Sequence, residues 1–281
     1  MKTILIPVDF SDVSYTAAKY AVDFALEFHI GKLIFYNSYR LHAVDADLAA
    51  KDDETNIYRE ASLKHLKDMY ERVVSGTDPS FSIHFHADNK PVKDGVKALV
   101  EDQDVSLIVM GIAGQSDIEN TLIGENTMAV AASGVAPLLI VPRETVFEPV
   151  NRIAYATDLR DVEEVTPVSS ISKFCRTMGA ELHVVHADYH GKHHSPSTSL
   201  NQQLLAQYFA ELQPKFHYIE EHKDDAQGIY DYVKRSDIGL IIMASRNYGF
   251  FERLFHSSLS KKLLNMADVP VVLAKNKTPF L

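Results

Sequence analysis

Five short apolar runs punctuate the first half of the chain: TILIPV (3–8), KLIFYN (32–37), FSIHFH (81–86), SLIVMG (106–111) and PLLIVP (137–142). They are short, apolar and β-branched, as expected of parallel strands buried on both faces. Between them the apolar spacing changes to that of helices. Ser11 or Asp12 can cap a helix running through Glu27, with Ala17, Ala18, Ala21, Val22, Ala25 and Leu26 on one face. A longer helix is predicted over 51–74, with Ile57, Leu63, Leu66 and Met69 inward. Pro91 marks the start of a third, where its missing N–H costs nothing, and 125–133 form a fourth. Later in the chain the same spacing predicts helices over 161–178, 198–212, 226–235 and 258–267.

The pattern occurs twice. KTILIPVDFSD at the start aligns without gaps on NRIAYATDLRD from 151, placing Asp9 on Asp158 and Asp12 on Asp161. GKLIFYNSYR (31–40) aligns on AELHVVHADY (180–189), DVSLIVMGIAG (104–114) on DIGLIIMASRN (237–247), and APLLIVPR (136–143) on VPVVLAKN (269–276), with Pro137 on Pro270. Shared hydrophobicity alone would not place aspartates and prolines at matching offsets. The chain therefore reads as a tandem duplication, with domains at 1–145 and 150–281 joined through ETVFEPV (144–150). Strands alternating with helices give the fold class: α/β, two tandem doubly wound parallel five-stranded sheets with helices on both faces. Right-handed crossovers bring the ends of strands one and four side by side in each half.

Composition narrows the function. The 281 residues carry 28 basic and 38 acidic side chains, a net charge of −10. Residues 1–145 hold 13 of the basic and 22 of the acidic side chains, so the first half carries nearly all the excess. An acidic surface argues against nucleic-acid binding. No apolar run approaches the ~18 residues of a membrane span, and MKTILIPVDFSD does not read as a secretory signal. The one cysteine, Cys175, excludes an intrachain disulfide or a CxxC site, and a cytoplasmic location is expected. Cys175 falls on an apolar helical stretch with Ile171 and Phe174, the setting of an inert buried thiol.

Ligands of doubly wound sheets sit outside the C-terminal strand ends. In the first half those ends carry Pro7, Val8, Asp9 and Ser11 after strand one, Asn37 after strand two, and a glycine loop after strand four. That loop reads Gly111-x2-Gly114-x9-Gly124, followed by Glu125, Asn126 and Thr127 at a helix start. Glycines permit close backbone approach, and a helix start offers free N–H groups to an anion. Asp9 can accept a hydrogen bond from a base or ribose. Neither GxxxxGK[ST] nor GxGxxG is present.

PVDFS (7–11), the three-glycine spacing and the APLLIVP strand together resemble the universal stress protein family, and the resemblance covers nearly the whole chain, twice. It implies a stress-response regulatory protein that binds an adenine nucleotide, ATP or AMP, possibly with magnesium, without substantial catalysis. The first-strand aspartate region would hold adenine, and the glycine loop with the following hydroxyls would hold ribose and phosphates. Carried over residue by residue, the binding set is Pro7, Val8, Asp9, Asn37, Gly111, Gly114, Gly124, Glu125, Asn126 and Thr127. The resemblance also implies an intramolecular pseudo-dimer pairing LLIV (138–141) with VVLA (271–274), and a homodimer of such chains. Two departures matter. Glu125 occupies the hydroxyl position after Gly124, and the loop holds Asp117 and Glu119 without Lys or Arg. In the second half Ala244, Asn247 and Ser257 replace the glycines. A nucleotide-free interaction scaffold and a slow ATP hydrolase are the competing functions.

One cluster lies outside the resemblance. His186, His190, His193 and His194, with Asp188, follow the second strand of the second half. Imidazoles with a carboxylate suit zinc, and His186, His190 and His194 are the expected ligands, His222 a further candidate. His183 and His217 read as strand residues with satisfied nitrogens.

Overall fold

The structure is a computed structural model, and it describes residues 2–39, 52–112, 124–187, 196–219, 225–245, 268–275 and 280. The first half contains β1 (Thr3–Pro7), α1 (Asp12–Glu27), β2 (Lys32–Ser38), α2 (Asp52–Val73), β3 (Ser82–Asp88), α3 (Val92–Gln103), β4 (Val105–Ile112), α4 (Glu125–Ser133) and β5 (Leu138–Pro142). The second contains β6 (Arg152–Ala156), α5 (Val162–Val165), α6 (Val168–Met178), β7 (Glu181–Ala187), α7 (Pro196–Tyr208), a 3-10 turn (Ala210–Leu212), β8 (Lys215–Ile219), α8 (Asp225–Arg235), β9 (Leu240–Ser245) and β10 (Val271–Lys275). The helix predicted over 258–267 lies outside the described residues.

The ten strands form one sheet in the order β3-β2-β1-β4-β5-β10-β9-β6-β7-β8. Within each half every pairing is parallel. The halves meet at β5 and β10, which pair antiparallel with Val272 opposite Leu139. The two sheets expected from the repeat are thus continuous, joined through the last strands. Pairing these two strands saturates backbone groups that would otherwise lie open at two sheet edges.

Each strand feeds two cores because successive side chains point to opposite faces. Ile4 and Ile6 enter the layer under α1, whereas Leu5 enters the layer with Val96 and Leu99 of α3. Aromatic rings carry the first layer across the join. Phe174 of α6 lies 5.5 Å from Phe24 and 4.8 Å from Phe28 of α1. Phe147 of the connecting segment packs edge-on against Tyr20 at 5.1 Å, and Phe280 lies 5.6 Å from Phe174. Phe280 is fully buried, and its N–H donates to Ser170 Oγ at 2.9 Å.

Two helices depart from the sequence pattern. The single helix expected over 161–178 is broken into α5 and α6 at Thr166-Pro167. Proline cannot donate its N–H and disfavours helical geometry in the residue before it, and Thr166 is extended (φ −75°, ψ 117°). In α2, Leu66 and Met69 are buried as expected, but Ile57 is 66% exposed. A helix of 22 residues extends ~33 Å, against ~23 Å for the seven-residue strands beneath it, so its first turns overhang the sheet.

Candidate functional site

The end of β1 is built around a left-handed residue. Phe10 has φ 64°, which turns the chain sharply between β1 and α1. Asp9 Oδ1 accepts hydrogen bonds from Ser11 N–H (3.1 Å) and Ser11 Oγ–H (2.6 Å). Ser11 Oγ in turn accepts from Ser14 N–H (3.2 Å) and caps α1, as its sequence position predicts. Partial burial of Asp9 raises its pKa, but the hydrogen bonds from Ser11 and Ser14 outweigh it and the net shift is downward. The carboxylate is ionised at neutral pH.

Asn37 locks this loop to the neighbouring strand. Its Nδ2 donates to Val8 O at 2.7 Å and its Oδ1 accepts from Ser62 Oγ of α2 at 2.8 Å. Both ends of this buried amide therefore hold the fold together. Thr127 behaves likewise: it is buried, and its hydroxyl donates to Gly111 O at 3.2 Å, tying α4 to β4.

The glycines divide by role. A Cβ on Gly111 would stand 2.5 Å from Val13 O and 2.6 Å from Val13 Cγ1, so Gly111 is demanded by close packing of α1 on β4. Gly124 is the N-cap of α4 with φ −48° and no side-chain cap, and a Cβ there would meet Thr127 Oγ1 at an ordinary 3.8 Å. Among the described residues, the first N–H groups of α4 thus meet no side-chain cap from Gly124. Gly114 lies outside the described residues.

Around these residues opens a two-lobed cleft. An inner lobe of about 290 Å³ is lined by Pro7, Val8, Asp9, Val13, Met110, Gly111, Gly124, Asn126 and Thr127, with Ser11, Ser14, Tyr36, Ser38 and Val92. A second, outer lobe of about 760 Å³ shares Val8, Asp9, Ser38, Val92 and Asn126 and adds Asn37, Tyr39, Asn89, Lys90 and Pro91. Of the sequence-predicted set, the cleft gathers Pro7, Val8, Asp9, Asn37, Gly111, Gly124, Asn126 and Thr127. Glu125 is exposed in the first turn of α4 and lines neither lobe.

Sequence reasoning missed Tyr36, Ser38, Asn89 and Lys90. Tyr36 Oη–H donates to Asp88 Oδ1 at 2.8 Å, and its ring passes where any Cβ on Gly95 would stand. Ser38 had a signal, because it follows Asn37 at the same strand end. Lys90 had none, because only the pairing of β2 with β3 brings it to the cleft.

The second half repeats the loop without the same surroundings. Leu159, aligned with Phe10, is also left-handed (φ 55°), and Asp158 Oδ1 accepts from Arg160 N–H at 3.0 Å as Asp9 does from Ser11. His186 falls on Asn37, and its Nδ1 contacts Thr157 O at 2.9 Å, matching the Asn37–Val8 hydrogen bond. Since a carbonyl only accepts, Nδ1 carries the proton. His186 is therefore a strand tether. His190 and His194, the other expected zinc ligands, lie outside the described residues with His193, Asp188 and His222. No group of three metal-ligating side chains occurs among the described residues. Both nitrogens of His183 are engaged, by Tyr232 Oη (2.5 Å) and Glu181 Oε2 (3.0 Å). Burial pushes the Cys175 thiol up to about 12.

The universal stress protein family model matches residues 1–142 and again 149–275. The chain belongs to the universal stress protein family and contains its domain twice. It is 29% identical over 157 residues to a universal stress protein of Methanocaldococcus jannaschii, covering 50% of this chain and 82% of that one. A universal stress protein of Archaeoglobus fulgidus superimposes with a TM-score of 0.71 at 20% identity, covering 97% of this chain and 98% of that one. The cytoplasmic domain of a prokaryotic cation chloride cotransporter superimposes with a TM-score of 0.53 at 11% identity, covering 97% and 95%. Likeness at these identities shows the fold, and the fold alone leaves function open. Among the described residues no helix is long and apolar enough to cross a membrane.

Proposed function

We propose that the first-half cleft binds an adenine nucleotide, ATP or AMP, as a reversible regulatory ligand in a stress-response role. The observation that carries this reading is the inner lobe. It has apolar lining from Val8, Val13 and Met110, the ionised Asp9, and the start of α4, where Gly124 supplies no side-chain cap. An apolar slot with one convergent acceptor suits a purine and its amino or ribose hydroxyl donors. Family membership supports the same reading.

Binding without a covalent intermediate on a serine or threonine is supported by how the hydroxyls are used. Ser11 caps α1, Ser14 Oγ donates to Ser11 O, Thr127 donates to Gly111 O, and Ser38 Oγ donates to Lys90 O. Each is committed to the fold, which leaves none of them as an activated nucleophile paired with a base.

Calorimetry with adenosine, AMP and ATP tests the reading. Asp9→Ala should weaken all three by about 1–3 kcal/mol through loss of a hydrogen bond to a charged acceptor. Absence of binding by the intact chain at millimolar ligand would favour the nucleotide-free scaffold.

A further inference from the structure

The two edge strands carry a histidine at the same place in the ladder. His86 of β3 lies opposite Tyr36 and His217 of β8 opposite Val185, and Tyr36 and Val185 are aligned in the repeat. Two residues further on, the first half has Asp88 and the second has Ile219. His86 Nε2 lies 3.4 Å from Asp88 Oδ2, so a proton on that ring meets a carboxylate. Ile219 is buried and apolar and offers His217 no such partner.

His217 packs instead into a polar network under α8. Its ring centroid lies 4.0 Å from that of Tyr232. The Tyr232 hydroxyl meets Nδ1 of the buried His183 at 2.5 Å, which ties α8 to β7. His183 Nε2 lies 3.0 Å from Glu181 Oε2. A carboxylate only accepts, so Nε2 carries a proton, and Nδ1 of the neutral ring accepts from Tyr232. Glu181 is already shared with Lys215 Nζ (2.5 Å) and with Arg152 Nε of β6 (3.6 Å). Of the charged side chains described on α8, Asp231 accepts from Gln227 Nε2 at 2.7 Å, Lys234 pairs with Asp268, and Arg235 repels a proton on His217. Burial first, then Arg235 and His183, disfavour that proton.

We infer that this edge is an acid-triggered latch, in which a proton on His217 drives its ring off Tyr232 and lifts α8 from β7 and β8. The Tyr232–His183 hydrogen bond is lost with it, while the join and the first half stay closed. Lifting uncovers the apolar side of α8, Ala226, Ile229 and Val233. The open form takes up the proton at the ordinary histidine value of about 6.5 and the closed form resists it, so opening is favoured as pH falls below that value. Glu181 stays ionised throughout this window and is not the trigger.

Hydrogen exchange by mass spectrometry on the full chain, from about pH 7.5 to about pH 5, tests the latch. Corrected for intrinsic exchange, protection of α8 and β8 should fall by up to about tenfold per pH unit below ~6.5, the limit for one proton, with little change in α3 and β3. His217→Phe keeps a ring on Tyr232 but takes no proton, and should abolish the fall, as should His217→Gln. His217→Lys should expose α8 already at the upper pH. Tyr232→Phe should lower protection of α8 across the range and leave the pH dependence in place. An unchanged acid response in both uncharged variants overturns the latch, as does full protection of His217→Lys at the upper pH. Equal loss in α3 and β3 would be acid unfolding of the whole chain and would overturn it as well.

Discussion

The two strand-end loops, β1–α1 and β6–α5, share a backbone but differ in what packs against them. Both turn through a left-handed residue, and both place an aspartate whose Oδ1 accepts from the N–H two positions on. Both are tethered to the next strand, by Asn37 in one half and His186 in the other. Beyond that they diverge. Phe10 is 40% exposed, whereas Leu159 is buried and its carbonyl accepts from Asn201 Nδ2 at 2.7 Å. Gly111 admits the first turn of α1 at close range, but its counterpart is Ala244, and there the first helix is short and broken at Pro167. A methyl group at Gly111 would collide with the close first turn of α1, whereas the strand-four end of the second half carries one. Loop geometry is thus retained by local hydrogen bonds, while the close approach of α1 to β4 needs a residue without a Cβ at 111.

The aromatic join is where the comparison breaks most readily. Phe174→Ala removes the ring that contacts Phe24, Phe28 and Phe280, and should cost about 3–5 kcal/mol. Calorimetric unfolding should then resolve two transitions where the intact chain gives one. Next comes Gly111→Ala, which drives a methyl into Val13 O and should cost about 1–3 kcal/mol and close the inner lobe. Ala244→Gly should cost under about 1 kcal/mol, so denaturant titration of both variants tests whether the glycine is specific to the first half.

The tethers give a finer test. Asn37→Ala and His186→Ala each strand a carbonyl and should cost about 1–2 kcal/mol. His186→Asn should recover most of that loss, because the aligned position already uses an amide. An unchanged stability in His186→Ala would remove the tether as a shared device.

The smallest effect concerns acid. Burial, followed by the charges of Arg235 and His183, holds the His217 pKa below its ordinary 6.5. The folded state therefore binds this proton less readily than the unfolded chain, and stability present above pH 6.5 declines as pH falls below it. Glu181, lowered to about 2 chiefly by Lys215 and then His183, adds a second loss as pH falls from 4.5 towards 2. The positions aligned with Glu181 and His183 are Lys32 and Ile34, so hydrogen exchange at pH 5 should rise in β7 and β8 before β2.

Most of the fold was legible because the inner strands, buried on both faces, leave uninterrupted apolar runs, and duplication displayed them twice; the edge strands β3 and β8 are only partly buried. The site was legible in its residues more than in their roles. Spacing singled out Gly111, but its reason is a carbonyl on a helix far away in sequence. Asn37 and His186 were read for ligand and zinc binding, and the structure adds a task that residue type does not reveal, a hydrogen bond from each to the neighbouring strand end. The alignment that set one upon the other held the clue to their common task. Pro167 stood in plain view, yet apolar spacing on either side suggested one continuous helix. Lys90 enters the cleft only through strand adjacency, which no local pattern records.

The antiparallel meeting of β5 and β10 has a geometric result. Each half is parallel within itself, so reversing direction at the join points their strand ends oppositely. The cleft of the first half and the corresponding loop of the second therefore open on opposite rims of one sheet. A macromolecule docked on one rim leaves the other uncovered. Because a single polypeptide supplies both sides of the join, their association is intramolecular and does not weaken on dilution. Each rim can also be altered by one substitution without its mirror image appearing on the other, a freedom that a pair of identical chains lacks.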